Sequence, residues 1–501
     1  MIRTLASPRG FHLCVAGLAL VLLLLRAFLF AAAERDDAEQ ILFAQTWAWG
    51  YAPGKAPLYT WLVILSQSLF GVGVFAVEAV KFALIALLYV LLYRGARRVL
   101  SDERLAALAG LSPLALYIVA WDATLNYSHT VLLLSVCVAT FTALLRLERR
   151  QGWADYGLLG ALLGLGILAK YNYALFAAAL ALAALADPVL RPRLLSVRSV
   201  LALAVALAIV APHGAWALAE SETIGIAVVS KLSAPEALGP LEGRLRALYE
   251  LIKAAFNFAS PFVFLLPLLF WRSLAPIRGQ KDGRHRRLLG RHLLILGALA
   301  TAGALGFGAS ELRSHYLAVF ILFPLYAFAR IEVCGARPWA IRAYAGFVAT
   351  CALAVVTALA ASALIAPRTC DKCRLHLDYE VLAEAVRAAG FAEGTIAASF
   401  HRQAIAGNLR LSFPHARIIS TEYPRFQPPR DEGAGSCLLV WQPEEETRYG
   451  VDMRAFALVF LEARIPAAAP VRTVDVPLAR NPGRKVEFAY LLWPEGAGRC
   501  R

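Results

Sequence analysis

The sequence predicts an α-helical polytopic membrane protein with a small C-terminal α/β domain, and three observations carry that prediction. The 501 residues are 59% hydrophobic and only 17% charged, where a soluble chain carries about 25% charge. Apolar runs of about twenty residues, long enough to cross a hydrocarbon core, recur as far as residue 365. From residue 366 onward the chain becomes polar and proline-rich, and long enough for one small domain.

Spans are expected at 11–30, 74–93, 105–120, 126–145, 156–168, 171–185, 201–218, 254–271, 293–309, 315–329 and 344–365, about eleven helices in all. Arg3 and Arg9 precede the first. Ala31-Ala32-Ala33 after it offers small residues like those of a cleavage site, but the run is long for a signal peptide, and an uncleaved span is expected. Basic clusters then check the count. Arg94, Arg97, Arg98 and Arg104 form one, and Arg146, Arg149 and Arg150 another. Arg191, Arg193 and Arg198, the run from Arg272 to Arg291, and Arg330, Arg337 and Arg342 follow. All fall on the side of the N-terminus, and positive loops resist translocation. A cytoplasmic N-terminus and an external tail follow; in a bacterial cell these place the protein in the inner membrane with its tail in the periplasm. The formal net charge of +15 is accounted for in the same way; no nucleic-acid motif accompanies it, and no nucleic-acid partner is expected.

The short run at 156–168, with Gly160, Gly164 and Gly166, suits close helix packing or a broken element near Lys170. Two outer loops are long. In the first, residues 38–49 read as an amphipathic helix on the membrane surface, with Trp47 and Trp49 at headgroup level. The second carries an amphipathic stretch at 241–252. In the tail, a helix at 378–389 and strands at 395–399, 417–420, 437–441 and 487–492 alternate as in an α/β domain. The domains are therefore residues 1–365 and 366–501. Four of the eight cysteines lie in the tail. Cys370 and Cys373 read first as a structural disulfide, with free thiols or redox chemistry as alternatives. Ser399, His401 and His415 read as ordinary surface or strand-end residues.

Ionisable residues expected near the outer face are Asp36, Asp37, Glu39, Lys55, Asp122, His129, Lys170, His213, Glu220, Glu311, Arg313 and His315. Such groups at membrane depth usually face a wet or paired interior. Asp122, Asn126 and His129 have the spacing of one helical face, as do His213, Trp216 and Glu220. Either triplet could serve a site or simply join helices by hydrogen bonds. Paired carboxylates can take a proton from an attacking hydroxyl or hold a divalent cation. Lysines and arginines at the boundary can hold a lipid phosphate. Arg35-Asp36-Asp37 alone could be a solvated helix start.

The company of that pair decides more. An acidic pair after the first span, then Lys55-Ala56-Pro57-Leu58 and Trp61 before the second, resembles the bacterial members of glycosyltransferase family 39. These include protein-mannosyltransferase-like enzymes and lipid A aminoarabinose transferases, all of the GT-C membrane fold. The stretch from Gly164 to Lys170 is similar to the family's Gly/Leu-rich segment ending in Lys. Arg313-Ser314-His315-Tyr316 is similar to its basic-aromatic element. The match spans about the first two-thirds of the chain. It departs where the family more often has Asp-Glu, Lys-Pro-Pro and Gly-Pro after the later Lys.

The resemblance implies a membrane glycosyltransferase that takes a sugar from a polyprenyl-phosphate donor to a lipid, glycan or protein acceptor by an inverting displacement. It implies Asp36 as general base or acceptor orienter and Asp37 as support or metal contact. Lys55, Lys170, Arg313 and His315 would hold donor phosphate, and Asp122, His129, His213 and Glu220 would support the site or the acceptor. No sugar-nucleotide site is required and no cofactor is specified, while a divalent metal at Asp37 stays open. A lipid-glycan flippase or a non-catalytic envelope protein is the rival reading; the flippase would be favoured by internal repeats, and none is evident.

Overall fold

The structure is a computed structural model that describes residues 6–222, 225, 239–277, 283–307, 312–370, 373–399, 404–429, 435–450, 452–493 and 500. Among the described residues, six helices are long and apolar enough to cross a membrane, or seven if the bent pair Ser314–Phe320 and Phe323–Cys334 counts as one. Shorter apolar helices include Leu58–Phe70, Trp153–Ala169 and Tyr173–Leu185. The chain divides into two compact units. The first comprises Met1–Leu20, Pro53–Leu58 and Lys81–Val355; the second comprises Val21–Ala52, Tyr59–Val80 and Val356–Arg501.

In the first unit, several expected spans are interrupted. The run at 105–120 is an α-helix, Glu103–Leu111, then a 3₁₀ turn, Ser112–Ala115, then a π-turn, Ile118–Asp122. The run at 254–271 divides into Pro240–Ala259 and Phe262–Phe270. The two breaks answer each other: Leu116 bridges Pro261, and the Tyr117 amide donates to the Ser260 carbonyl at 2.9 Å. Freed backbone groups at membrane depth need such partners. The break near Lys170 is also present. Helix Trp153–Ala169 stops at Lys170, and the next helix starts at Tyr173.

Close packing explains the glycines. Gly160 and Gly164 lie one turn apart on helix Trp153–Ala169, against helix Arg198–Ala219. A Cβ on Gly160 would stand 2.2 Å from the Ala202 carbonyl oxygen, and one on Gly164 2.9 Å from Ile209 Cβ. Small residues four apart are what lets two helix backbones touch in lipid.

In the second unit, five strands form one sheet of order β2-β1-β3-β5-β4: β1 Gly394–Ala398, β2 Arg417–Ser420, β3 Ser436–Trp441, β4 Arg472–Leu478 and β5 Asn481–Trp493. β1 runs parallel to β2 and β3, while β5 is antiparallel to β3 and β4. A parallel pair needs a crossover, and helix Ile405–Ser412 lies in the one between β1 and β2. Helix Tyr379–Ala388 fills the expected 378–389. Disulfides join Cys370 to Cys373 and Cys437 to Cys500. The second ends in a core with Ala397, Ile419, Leu439 and Leu491.

The surface helix expected at 38–49 is shorter: it spans Arg35–Phe43. Gln45 reaches out of the helix line, donating to the Leu42 and Ile418 carbonyls at 2.7 and 2.9 Å. Trp47 and Trp49 follow it, exposed and flanking Trp61, whose indole N–H donates to the Ala48 carbonyl at 2.9 Å.

Replacing Gly160 by Ala will cost about 1–3 kcal/mol through overpacking. Thermal unfolding in detergent measures it. Gly157→Ala on the same helix is the control, because nothing lies within 4 Å of its added Cβ.

Candidate functional site

The acid pair belongs to the second unit. Both carboxylates sit in the first turn of helix Arg35–Phe43, where the helix dipole favours negative charge. Their surroundings differ. Asp36 is half-buried and Asp37 is fully buried. Asp37 Oδ2 lies 3.5 Å from Nη2 of Arg26, which is itself fully buried in the first apolar helix. Arg26 Nε also pairs with Glu78 Oε1 at 2.9 Å. Its Nη1 donates to the Ala32 carbonyl at 3.3 Å, and its guanidinium lies 5.1 Å from the centre of the Phe30 ring. Arg26 and Glu78 are site-building residues that sequence reasoning missed. A lone Arg in an apolar span was the available signal.

A metal at Asp37 does not fit these surroundings. Its carboxylate faces a guanidinium, and among the described residues no three His, Cys, Asp or Glu side chains gather as a metal site.

The cationic candidates belong to the first unit. Lys170 ends its helix, where a cation complements the dipole, with its amide donating to the Gly166 carbonyl at 3.1 Å. Lys170 Nζ donates to Thr130 Oγ1 at 2.8 Å and lies 5.4 Å from the centre of the Tyr316 ring. Asn172 Nδ2 donates to the Tyr316 carbonyl at 2.9 Å. His315 packs between Tyr127 and Tyr316, with ring centres 4.6 and 4.4 Å away. Tyr127 holds a left-handed backbone, φ 66°, at the start of helix Ser128–Arg146. The Tyr171 hydroxyl meets His213 Nε2 at 2.9 Å, and His213 stacks on Trp216 at 5.4 Å. Lys170, His315 and His213 therefore share a neighbourhood of aromatic and hydroxyl groups. Thr130, Tyr127, Tyr171 and Asn172 were not expected as its members. Thr130, the neighbour of His129 in sequence, is the residue that receives the Lys170 hydrogen bond.

The remaining candidates are placed as follows. Lys55 is half-buried in the turn after Gly54. Arg313 is exposed, immediately before the 3₁₀ helix Ser314–Phe320. Glu220 is half-buried, immediately after helix Arg198–Ala219, which carries His213 and Trp216. Glu311 and His401 lie outside the described residues. The common helical face expected for Asp122, Asn126 and His129 is not formed. The π-turn ends at Asp122, which hydrogen-bonds Tyr117, and the chain leaves helical geometry at Asn126 and Tyr127 before His129.

The 3₁₀ helix that presents His315 and Tyr316 also sends Leu317 and Phe320 to the wall of a groove of about 390 Å³. Leu251, Ala255, Leu293 and Gly297 from helices Pro240–Ala259 and Arg284–Phe307 line it as well. Its lining is almost wholly apolar, so it suits hydrocarbon and offers little to a polar ligand.

The architecture is that of a known class of multi-pass membrane enzymes. ArnT from Cupriavidus metallidurans superposes with a TM-score of 0.61 in its apo state, at 14% identity, over 96% of this chain and 98% of that one. The same protein bound to undecaprenyl phosphate gives a TM-score of 0.59 with the same coverage. Residues 54–216 match the model of the dolichyl-phosphate-mannose-protein mannosyltransferase family. The lipopolysaccharide core galacturonosyltransferase RgtB of Rhizobium johnstonii is 31% identical over 91% of this chain and 92% of its own length. RgtA of the same organism is 29% identical over 84% of each. The chain belongs to the protein-mannosyltransferase-like family of GT-C membrane glycosyltransferases.

The Arg26 cluster has a pH consequence. His376 stacks on Phe30 at 5.3 Å and is buried. Burial, then the charges of Arg480 and Arg26, push its imidazole down to about 4 from 6.5. The unfolded chain therefore takes a proton below 6.5 that the folded one refuses until about 4. This group's stabilisation is full above 6.5 and is lost progressively as pH falls through that window. His376→Gln will flatten that part of a stability-against-pH curve measured by thermal unfolding.

Proposed function

We propose that the protein transfers a uronic acid from a polyprenyl-phosphate donor to the lipopolysaccharide core at the periplasmic face of the inner membrane. The observation that carries this reading is Lys170 over the ring of Tyr316, which with His315 belongs to a 3₁₀ helix whose Leu317 and Phe320 line an apolar groove. A cation next to a hydrocarbon slot is the chemistry of a lipid phosphate. The similarity to two galacturonosyltransferases supports the sugar and acceptor classes. Cysteine distribution supports the sidedness. Both disulfides lie in the C-terminal region, whereas Cys14, Cys137, Cys334 and Cys351 in the helical region are free thiols. Residues 1–365 then form the transmembrane transferase domain and 366–501 the periplasmic one.

The reaction is a single inverting displacement. An acceptor hydroxyl attacks the anomeric carbon, the bond from that carbon to the phosphate oxygen breaks, and polyprenyl phosphate leaves with the electron pair. Asp36 takes the hydroxyl proton, and Asp37 is the structural partner of Arg26. Lys170 holds the phosphate, with His315, Arg313 and Lys55 as further donors to it. Asp122, His129, His213 and Glu220 support this pocket or the acceptor.

The test uses full-length protein in proteoliposomes with undecaprenyl-phosphate galacturonate and lipopolysaccharide core acceptor. Wild type will form glycosylated core. Asp36→Asn will lower kcat by about 100-fold or more, and Lys170→Gln will lower kcat/KM by about 100-fold. Turnover unchanged in Asp36→Asn would reject Asp36 as base. Movement of the donor lipid across the bilayer without transfer would replace the transferase with a flippase.

A further inference from the structure

We propose that helix Ile405–Ser412 of the C-terminal sheet domain is the positioning element of the transfer reaction, holding the acid-bearing helix Arg35–Phe43 at both ends. Asn408, Arg410 and Gly407 are the positioning residues. The proposal rests on the reading of Asp36 as the base.

Each end of the acid helix is gripped through its backbone. Before its first turn, the Ala33 amide donates to Asn408 Oδ1 at 2.8 Å, and Asn408 Nδ2 donates to the Ala33 carbonyl at 3.3 Å. At its far end, Arg410 Nη2 donates to the Ala44 carbonyl at 3.0 Å, and Nη1 donates to the Ile41 carbonyl and to Gln67 Oε1. Those carbonyls belong to the last turn, where a helix has no N–H donors of its own to offer them and the dipole favours a cation. Asn408 and Arg410 are both buried. Between the two grips the helices touch: a Cβ on Gly407 would lie 2.0 Å from the Ala38 carbonyl oxygen. Only glycine permits that approach.

Neighbouring contacts extend the grip. Gln45 pairs with both the amide and the carbonyl of Ile418 in β2, at 2.8 and 2.9 Å. Arg35 pairs with Glu422 at 2.7 Å, and the Tyr423 hydroxyl donates to Glu39. Burial holds the Arg410 guanidinium down to about 10, which still leaves it a cation at neutral pH.

A nine-residue helix is marginal by itself. Tertiary contacts must therefore set both its existence and its orientation. Asp36 lies two residues before Ala38, between the Asn408 and Arg410 grips, so a shift at Gly407 is carried straight to the carboxylate. A misplacement of about 1 Å at a reacting group can cost about 100-fold in rate.

The experiment measures kcat and donor KM for full-length Gly407→Ala, Arg410→Met and Arg410→Lys in the same proteoliposome assay, beside Asp36→Asn. Expected are a loss of about 100-fold in kcat for Gly407→Ala with donor KM within about twofold of wild type, a similar loss for Arg410→Met, and partial recovery in Arg410→Lys. A loss appearing only in KM, or wild-type kcat in Gly407→Ala, would overturn the proposal. So would Arg410→Lys no better than Arg410→Met. Should Gly407→Ala fail to fold, the Arg410 pair decides by the same criteria. Failure of the base reading is seen separately, as Asp36→Asn turning over normally while the Gly407 and Arg410 effects persist.

Discussion

A guanidinium with no route to water governs the second unit. Arg26 is fully buried near the end of the first apolar helix, and desolvating its charge would cost several kcal/mol if nothing answered it. Two carboxylates and a carbonyl do so: Glu78 from the start of the second long helix, Asp37 from the acid helix, and Ala32 from the segment between. Each partner comes from a different stretch of chain, so satisfying one charge fixes three backbone segments together. Removing one member of such a set typically costs 3–5 kcal/mol, about a quarter or more of a domain's usual stability.

In the proposed reaction that constraint gives the two adjacent acids separate work. A single carboxylate cannot both neutralise a buried arginine and keep an open face for a proton. Adjacent positions on a helix point about 100° apart, so Asp37 turns inward to Arg26 while Asp36 remains half-open. Two like residues in sequence thus acquire unlike environments. In the proposed reaction the environment, not the residue type, divides the labour.

The legible part of the fold was the part written in hydropathy and charge. Apolar runs gave the membrane class, and the tail's change in composition gave the sheet domain, with 417–420 recovered residue for residue as β2. Interruptions were not legible. Nothing in Leu105 to Asp122 announces a π-turn, because Leu116 and Pro261 meet only in three dimensions. β4 was missed although Val474, Val476 and Leu478 alternate with Thr473, Asp475 and Pro477, because a proline inside a run argues against a strand and only an edge strand tolerates it. Among the candidate residues, Lys170 and His315 in the first unit and the acid pair in the second stood out as polar residues in apolar surroundings. Their partners did not: Thr130 and Asn172 are common helix-bundle residues, and Arg410 lay in a tail that carried no motif.

Arg410 shows why local pattern fails there. Its signal is relational, since a buried arginine has meaning only beside the carbonyls it satisfies. Those carbonyls, of Ile41 and Ala44, are 369 and 366 residues away in sequence. A helix end needs four acceptors answered from somewhere. The first loop holds few donors long enough to reach back: Gln45 caps Leu42, and the remaining demand passes to the tail. An unanswered helix end in a membrane-border loop therefore implies a donor elsewhere in the chain. Here that requirement ties the last quarter of the sequence to the first fifty residues. It gives the C-terminal domain a structural role at the acid helix, with no cluster of three metal-ligating side chains among its described residues.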